Sequence, residues 1–177
     1  KHFYKKDVRK FGSGNAGLTN FYRNFGGMPT FLVLAIDLAK GAISSGLGAV
    51  LLGTIAMRDV GAALGLLAVV LGHMFPVYYH FKGGKGILTT AGALAVMDWR
   101  VLAAALATFI IFSVLTRFVS LGSVCSAAVA PVATWFFDKN LPMTIIVAVA
   151  CALMIFMHRG NISRLIKRNE PKFSFKK

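Results

Sequence analysis

The stretch Phe11-Gly12-Ser13-Gly14-Asn15-Ala16-Gly17-Leu18-Thr19-Asn20 decides the fold, because it can be read in two ways. Taken literally, Gly12, Gly14 and Gly17 spell a dinucleotide fingerprint, and Asp37 stands at the distance of the ribose-binding acid. A nucleotide fold needs a buried strand immediately before those glycines, and here the preceding run is Lys5-Lys6-Asp7-Val8-Arg9-Lys10. The fold reading fails, but the local chemistry stands. Glycines let a backbone turn tightly and present its N–H groups, while Ser13, Asn15, Thr19 and Asn20 add hydrogen-bonding side chains. Such a loop suits a phosphate or another compact anion.

What surrounds the loop points to a membrane. Apolar residues make up 56% of the 177 positions and charged residues only 15%, yet the net charge is +14. High apolar content with few, clustered charges is the composition of an integral membrane protein. Disorder is excluded by the abundance of Leu, Val, Ile and Phe. A nucleic-acid binder would spread its lysines over polar elements, whereas here they cluster between long apolar runs, so nucleic acid is not expected as a partner. Cys125 and Cys151 lie within apolar segments and read as packing residues. No Cys/His array marks a metal site. The N-terminal Lys1-His2-Phe3-Tyr4-Lys5-Lys6 is charged and has no signal-peptide core.

Hydropathy predicts six apolar helical segments, at about 28–53, 60–75, 87–96, 101–115, 119–137 and 142–157. The third is short and rich in Gly, Ala and Thr, so it is expected to pack against helices rather than lipid. Alternating passage puts Arg58, Arg100 and Lys139 on one side, each near an acid (Asp59, Asp98, Asp138). Asp37 and Lys40 cancel within a span. All other lysines and arginines, with Asp7 and Glu170, fall on the opposite side, which therefore carries the whole net charge. The positive-inside rule makes that side cytoplasmic. The expected architecture is an all-α, polytopic integral membrane bundle of about six transmembrane helices, forming one membrane-embedded domain over 1–177.

Four polar clusters fall on the basic side: the opening loop with Arg23; Gly72-His73 through Phe81-Lys82-Gly83-Gly84-Lys85-Gly86; Arg117 through Ser120 and Ser123; and His158-Arg159-Gly160-Asn161. Two glycine-rich loops converging with Arg, Lys, Ser, His and Asn fit recognition of more than one phosphate. None of the four supplies a carboxylate able to act as a hydrolytic base. Each cluster also has a plainer reading. Flanking lysines snorkel and set topology. Phe3, Tyr4 and Phe173 can anchor at the interface, and Ser120 and Ser123 can bond back to their own helix. His73 and His80 flank a proline and aromatics, where packing serves as well as catalysis. Lys85 between glycines is poorly explained by turn chemistry, which favours function there. Asp37 and Lys40, at i and i+3 within a span, share a helix face and can pair, either as a self-neutralising tie or as a polar pocket floor. The chain lacks a P-loop, a His-x4-Asp motif at His73 or His80, a Gly-x-Ser-x-Gly elbow and a Glu-x-x-His metal pattern. A rival class, a transporter of small phosphorylated anions, would want the same basic loops and intramembrane pair. It would also favour inverted repeats, and the two halves show no convincing self-similarity.

Taken in order, Gly12–Asn20 with Arg23, Asp37-Leu38-Ala39-Lys40-Gly41, Gly72-His73-x-Phe75-Pro76 leading to Phe81-Lys82-Gly83-Gly84-Lys85-Gly86, Arg117-x-x-Ser120 and His158-x-x-Asn161-Ile162 form a specific set. The set resembles the bacterial membrane acyl-phosphate:glycerol-3-phosphate acyltransferases, the PlsY family, over nearly the whole chain. The resemblance implies acyl transfer from acyl phosphate to the 1-hydroxyl of glycerol 3-phosphate, giving lysophosphatidic acid and phosphate, the opening step of phospholipid synthesis. Because acyl phosphate is already activated, direct attack with no acyl-enzyme is expected, and no cofactor, metal or obligate protein partner is expected. The resemblance also implies a multi-pass protein of the bacterial inner membrane, with site and C-terminus on the cytoplasmic face. The family fold has seven helices, one of them before the first glycine-rich loop, which leaves six expected here. By resemblance the catalytic set is Ser13, Asn15, Arg23, Lys85, Ser123 and His158. Gly14, Thr19, Asn20, Lys40, Gly83, Gly84, Gly86, Ser120 and Asn161 are expected to bind substrate.

Overall fold

The computed structural model describes residues 7–12 and 14–173; Ser13, predicted as a site residue, lies outside the described residues. Among the described residues there are eight α-helices and no strand: α1 Leu18–Phe25, α2 Met28–Gly53, α3 Arg58–Met74, α4 Ile87–Met97, α5 Trp99–Thr116, α6 Val119–Asp138, α7 Leu141–Met157 and α8 Arg159–Ile166. All six apolar segments are helices, within a residue or two of their expected ends.

They differ in reach. Helices α2, α5 and α6, and α3 with the short turn that follows it, are long and apolar enough to cross a membrane. Helix α7 joins α8 across a 55° bend and together they make a fifth candidate span. Helix α4 has 11 residues, about 16 Å at 1.5 Å per residue, roughly half the hydrocarbon thickness. It stops where Asp98 takes over as the cap of α5, its side chain accepting from the Arg100 backbone N–H at 2.7 Å.

The core follows helical spacing. Ala63, Leu66, Val70 and Met74 form one buried stripe on α3, and Met143, Val147, Ala150, Cys151 and Met154 form another on α7. Helix α2 buries a polar and small stripe, Thr30, Asp37, Gly41, Ser45 and Ala49, while Phe31, Ile36, Ile43, Leu47, Val50 and Leu51 stay exposed. Backbone contact explains the small residues. A Cβ at Gly41 would overlap the Thr89 carbonyl of α4, so α2 and α4 cross at van der Waals distance only because that side chain is absent. The crossing leaves α4 wedged against α2 and α3, with its N-terminal Ile87 and Leu88 at the edge of a cavity.

Long-range contacts gather the predicted basic clusters at one end of the bundle. The Arg23 guanidinium donates to the Pro171 carbonyl at 3.2 Å, and the Phe173 N–H donates to the Arg117 carbonyl at 2.7 Å. At the other end Arg100 reaches Asp138 at 3.6 Å.

Candidate functional site

The site begins with the opening loop. Asp7 caps a 3-10 turn at Val8–Lys10 and also pairs with the Arg9 guanidinium at 2.6 Å. Gly12 and Gly14 then take positive φ of 55° and 71°, a conformation that L side chains resist. The Asn15 side-chain oxygen accepts from the Gly17 N–H at 2.8 Å and closes a small turn into α1. Asn20 is buried, and its amide donates to the carbonyls of Val8, Phe11 and Asn15. Its evident work is to fold the loop onto α1.

Helix α1 and this loop wall a cavity of about 540 Å³. The Gly86 end of the second glycine-rich loop, the start of α6 and the α7–α8 bend complete it. Of the sequence-predicted residues it gathers Asn15, Thr19, Asn20, Arg23, Lys85, Gly86, Ser120, Ser123, His158 and Asn161. Its apolar side is Leu18, Ile87, Leu88, Phe109 and Val119. Gly14 borders neither this cavity nor its neighbour. Lys40, Gly83 and Gly84 instead line an adjoining cavity of about 480 Å³, with His73 common to both. The Gly83–Gly84 segment reaches that place by a strand-like return onto the end of α3: Gly83 N–H donates to the Met74 carbonyl and Gly84 N–H to the His73 carbonyl, each at 3.1 Å.

The polar heart of the larger cavity is a chain of hydrogen bonds. The Lys85 ammonium donates to the Asn161 side-chain oxygen. The Asn161 amide nitrogen donates to Glu170 Oε1 at 2.6 Å, Ser120 Oγ donates to the same oxygen at 2.6 Å, and Arg164 Nε meets Oε2 at 2.7 Å. An ammonium only donates and a carboxylate only accepts, so the Asn161 amide has one orientation compatible with both neighbours. Burial pushes Lys85 down to about 8; Glu170 opposes that shift, while Arg164 and Arg23 add to it. Glu170 stays below its ordinary value: burial raises it, but the bonds from Ser120, Asn161 and Arg164 outweigh burial. No carboxylate sits at ion-pair distance from Lys85 among the described residues.

The two serines divide as their geometry dictates. Ser123 Oγ donates to the Val119 carbonyl of its own helix at 2.9 Å, the back-bonded arrangement, while Ser120 leaves its helix for Glu170. His158 is 3% exposed and its Nδ1 contacts the Met154 carbonyl at 2.8 Å. A carbonyl only accepts, so Nδ1 carries the proton and Nε2 keeps a lone pair. Asp37 pairs with Lys40 at 2.6 Å, as their i, i+3 spacing predicts, and both meet His73. His80 adopts a left-handed turn conformation (φ 51°) and lines neither cavity. Phe173 stacks on Tyr22 with ring centroids 6.2 Å apart, so it is fastened to the protein.

Two acids enter the chamber that none of the four basic clusters contained. Asp37 lines it, neutralised by Lys40, and Glu170 lines it from the returning C-terminal segment. Glu170, Arg164 and Pro171 were not singled out from sequence. The available signal was a lone acid in the basic tail after His158, with Arg164 six positions before it. Among the described residues no group of three or more His, Cys, Asp or Glu side chains could hold a metal ion.

With this geometry in hand, the likenesses to known proteins are specific. The model of the glycerol-3-phosphate acyltransferase family matches residues 1–168. The chain is 39% identical to the glycerol-3-phosphate acyltransferase of Shewanella sediminis, across 97% of this chain and 82% of that protein. It is 42% identical to that of Jannaschia sp., across 94% and 79%. Among solved structures, it superposes on the glycerol 3-phosphate form of PlsY, an integral membrane glycerol 3-phosphate acyltransferase, with a TM-score of 0.86 at 32% identity, covering 96% of this chain and 83% of that one. The lysophosphatidic acid form of the same protein gives a TM-score of 0.82, covering 92% and 82%. A multi-pass helical membrane protein with these ordered motifs, matched along almost its whole length, belongs to the PlsY family of glycerol-3-phosphate acyltransferases.

Proposed function

We propose that the chain transfers a fatty acyl group from acyl phosphate to the 1-hydroxyl of glycerol 3-phosphate, releasing lysophosphatidic acid and inorganic phosphate. The observation that carries the reading is the convergence of Arg23, Lys85, His158 and Asn161, from three separate stretches of chain, around one cavity of about 540 Å³ with an apolar side. That combination suits two phosphates and one acyl chain.

The chemistry asks little more. Acyl phosphate is already activated, so the glycerol oxygen attacks the acyl carbon, the acyl carbon–oxygen bond to phosphate breaks, and the departing phosphate takes the proton. The protein contributes position and charge. Arg23 and Lys85 would answer the phosphates, with Asn15 and Thr19 completing the wall. The His158 Nε2 lone pair would accept from the glycerol 3-phosphate hydroxyl that does not attack, and Asn161 would steady both the acceptor and Lys85. The acyl chain would lie along Leu18, Leu88 and Phe109, entering from the inner leaflet of the bacterial cytoplasmic membrane. Consistent with that, the basic end of the bundle holds the chamber and the C-terminal segment. A protein nucleophile has little support: Ser120 is bonded to Glu170, Ser123 to its own helix, and the two cysteines line neither cavity.

The test is a pre-steady-state mix of protein and acyl phosphate with no glycerol 3-phosphate. Direct attack predicts no stoichiometric burst of phosphate and no acylated protein by mass spectrometry. A burst with one acyl group per chain would overturn it.

A further inference from the structure

We propose that His73 Nε2–H is a substrate-binding donor that takes a phosphoryl oxygen in the reaction chamber, and that Asp37 and Lys40 are positioning residues that set its tautomer. The inference rests on the acyltransferase reading above and assigns work to an intramembrane charge pair that reading leaves idle.

Lys40 Nζ lies 2.6 Å from Asp37 Oδ1 and 2.5 Å from His73 Nδ1. An ammonium has no lone pair to offer, so Nδ1 must be the acceptor and the ring proton sits on Nε2. Asp37 holds the ammonium in place and cancels its charge. It is 3.7 Å from Nδ1, too far to bond the ring itself. The outcome is the mirror image of His158, whose Nδ1 donates to a carbonyl and whose Nε2 is a lone pair. One chamber therefore holds one imidazole built to accept and one built to donate.

The donor end is left uncovered. The His73 side chain is only 11% exposed, and the surface it shows lies on the wall shared by the two cavities. Among the described residues nothing accepts a hydrogen bond from Nε2. Nε2 is not sealed within the protein, so a ligand bound in the cavities can supply the acceptor it lacks. Gly84 keeps that approach open, since a Cβ at that position would collide with Nε2. The same loop then presents Lys85 to the chamber, so an ammonium and a neutral donor line the same cavity. The shared chemistry of the two substrates is a terminal phosphoryl oxygen, and the experiment separates them.

The variants are His73→Asn, whose amide keeps a group near Nδ1 and leaves Nε2 empty; His73→Gln, whose amide N–H reaches the Nε2 position; and Lys40→Met. Initial rates are measured varying glycerol 3-phosphate at fixed donor, then varying acyl phosphate at fixed glycerol 3-phosphate, with melting temperature as the folding control. The expected result is a rise of about tenfold or more in one of the two KM values for His73→Asn, with Gln restoring most of it. Lys40→Met should raise the same KM, and combining it with His73→Asn should add little, because Lys40 acts through the imidazole. KM values within about twofold of wild type for folded His73→Asn would overturn the proposal. So would equal damage from Asn and Gln, or additive effects in the double variant. If acyl phosphate supports no turnover at all, the donor assignment falls alone. The glycerol 3-phosphate arm, run with acyl-carrier protein or acyl-CoA, still decides the role of His73.

Discussion

Each end of the bundle holds a buried carboxylate gripped by arginine, and the two ends use it differently. At the Arg100 end, Asp98 takes its hydrogen bonds from the backbone and side chain of Arg100, two residues away, and Arg100 also lies over the Phe137 ring at 5.0 Å. The contact is local: it caps α5 and balances charge on a hairpin. At the chamber end, Glu170 draws Ser120 from α6 and both Asn161 and Arg164 from α8. It assembles distant elements, and among the described residues the hydrogen-bond partner of the neighbouring Lys85 is a neutral amide. A membrane protein that seats the Asp98 carboxylate on an arginine at one end and leaves a half-buried ammonium facing a cavity at the other has placed its chemistry at the second. Lys85, on this view, awaits an anionic substrate.

The contrast can be broken most severely at Lys85. Lys85→Ala is expected to lower kcat/KM by about 10²- to 10³-fold, the scale for losing a charged donor at a transition state, with melting temperature nearly unchanged. Steady-state rates and a thermal melt check both halves. Glu170→Gln comes next. It removes the charge that holds three partners and should destabilise the protein by about 2–3 kcal/mol, seen as a melting point several degrees lower and a matching loss of activity.

A smaller effect sharpens the comparison through pH. Lys85 titrates near 8 in the folded protein, below its ordinary 10.5. The ammonium is the phosphate-binding form, so kcat/KM should be flat below that point and fall as pH rises through about 8. Stability should move the other way. Between the folded and unfolded values the unfolded chain holds the extra proton, so this group makes the protein more stable as pH rises from about 8 toward 10.5. Lys85→Arg should abolish that alkaline fall, because guanidinium keeps its proton. The smallest effect belongs to the other end. Asp98→Asn retains a capping side chain and loses only a partly exposed pairing, so the cost should be within about 1 kcal/mol and turnover within about twofold of wild type.

Much of this was legible in the chain because the bilayer enforces simple rules. The extents of α2, α6 and α7 follow from hydropathy. The Asp37–Lys40 pair follows from helical spacing. What escaped was non-periodic. Glu170 acts from an irregular segment that returns beneath α8, and no local pattern says that an acid nine residues past Asn161 will bond it. The short helices α1 and α8 are too polar and brief for a hydropathy signal. Ser120 and Ser123 differ only by which one faces the returning tail. The split into two cavities arises because Gly83 and Gly84 fold onto the end of α3, a tertiary contact invisible in a glycine-rich string.

The most direct test of the central claim is donor dependence in purified protein. Phosphate release and lysophosphatidate formation are measured together with acyl phosphate, acyl-CoA or acyl-carrier protein, each with and without glycerol 3-phosphate. The account predicts one phosphate per lysophosphatidate, only when acyl phosphate and glycerol 3-phosphate are both present. Turnover supported by the thioesters but not by acyl phosphate would contradict it.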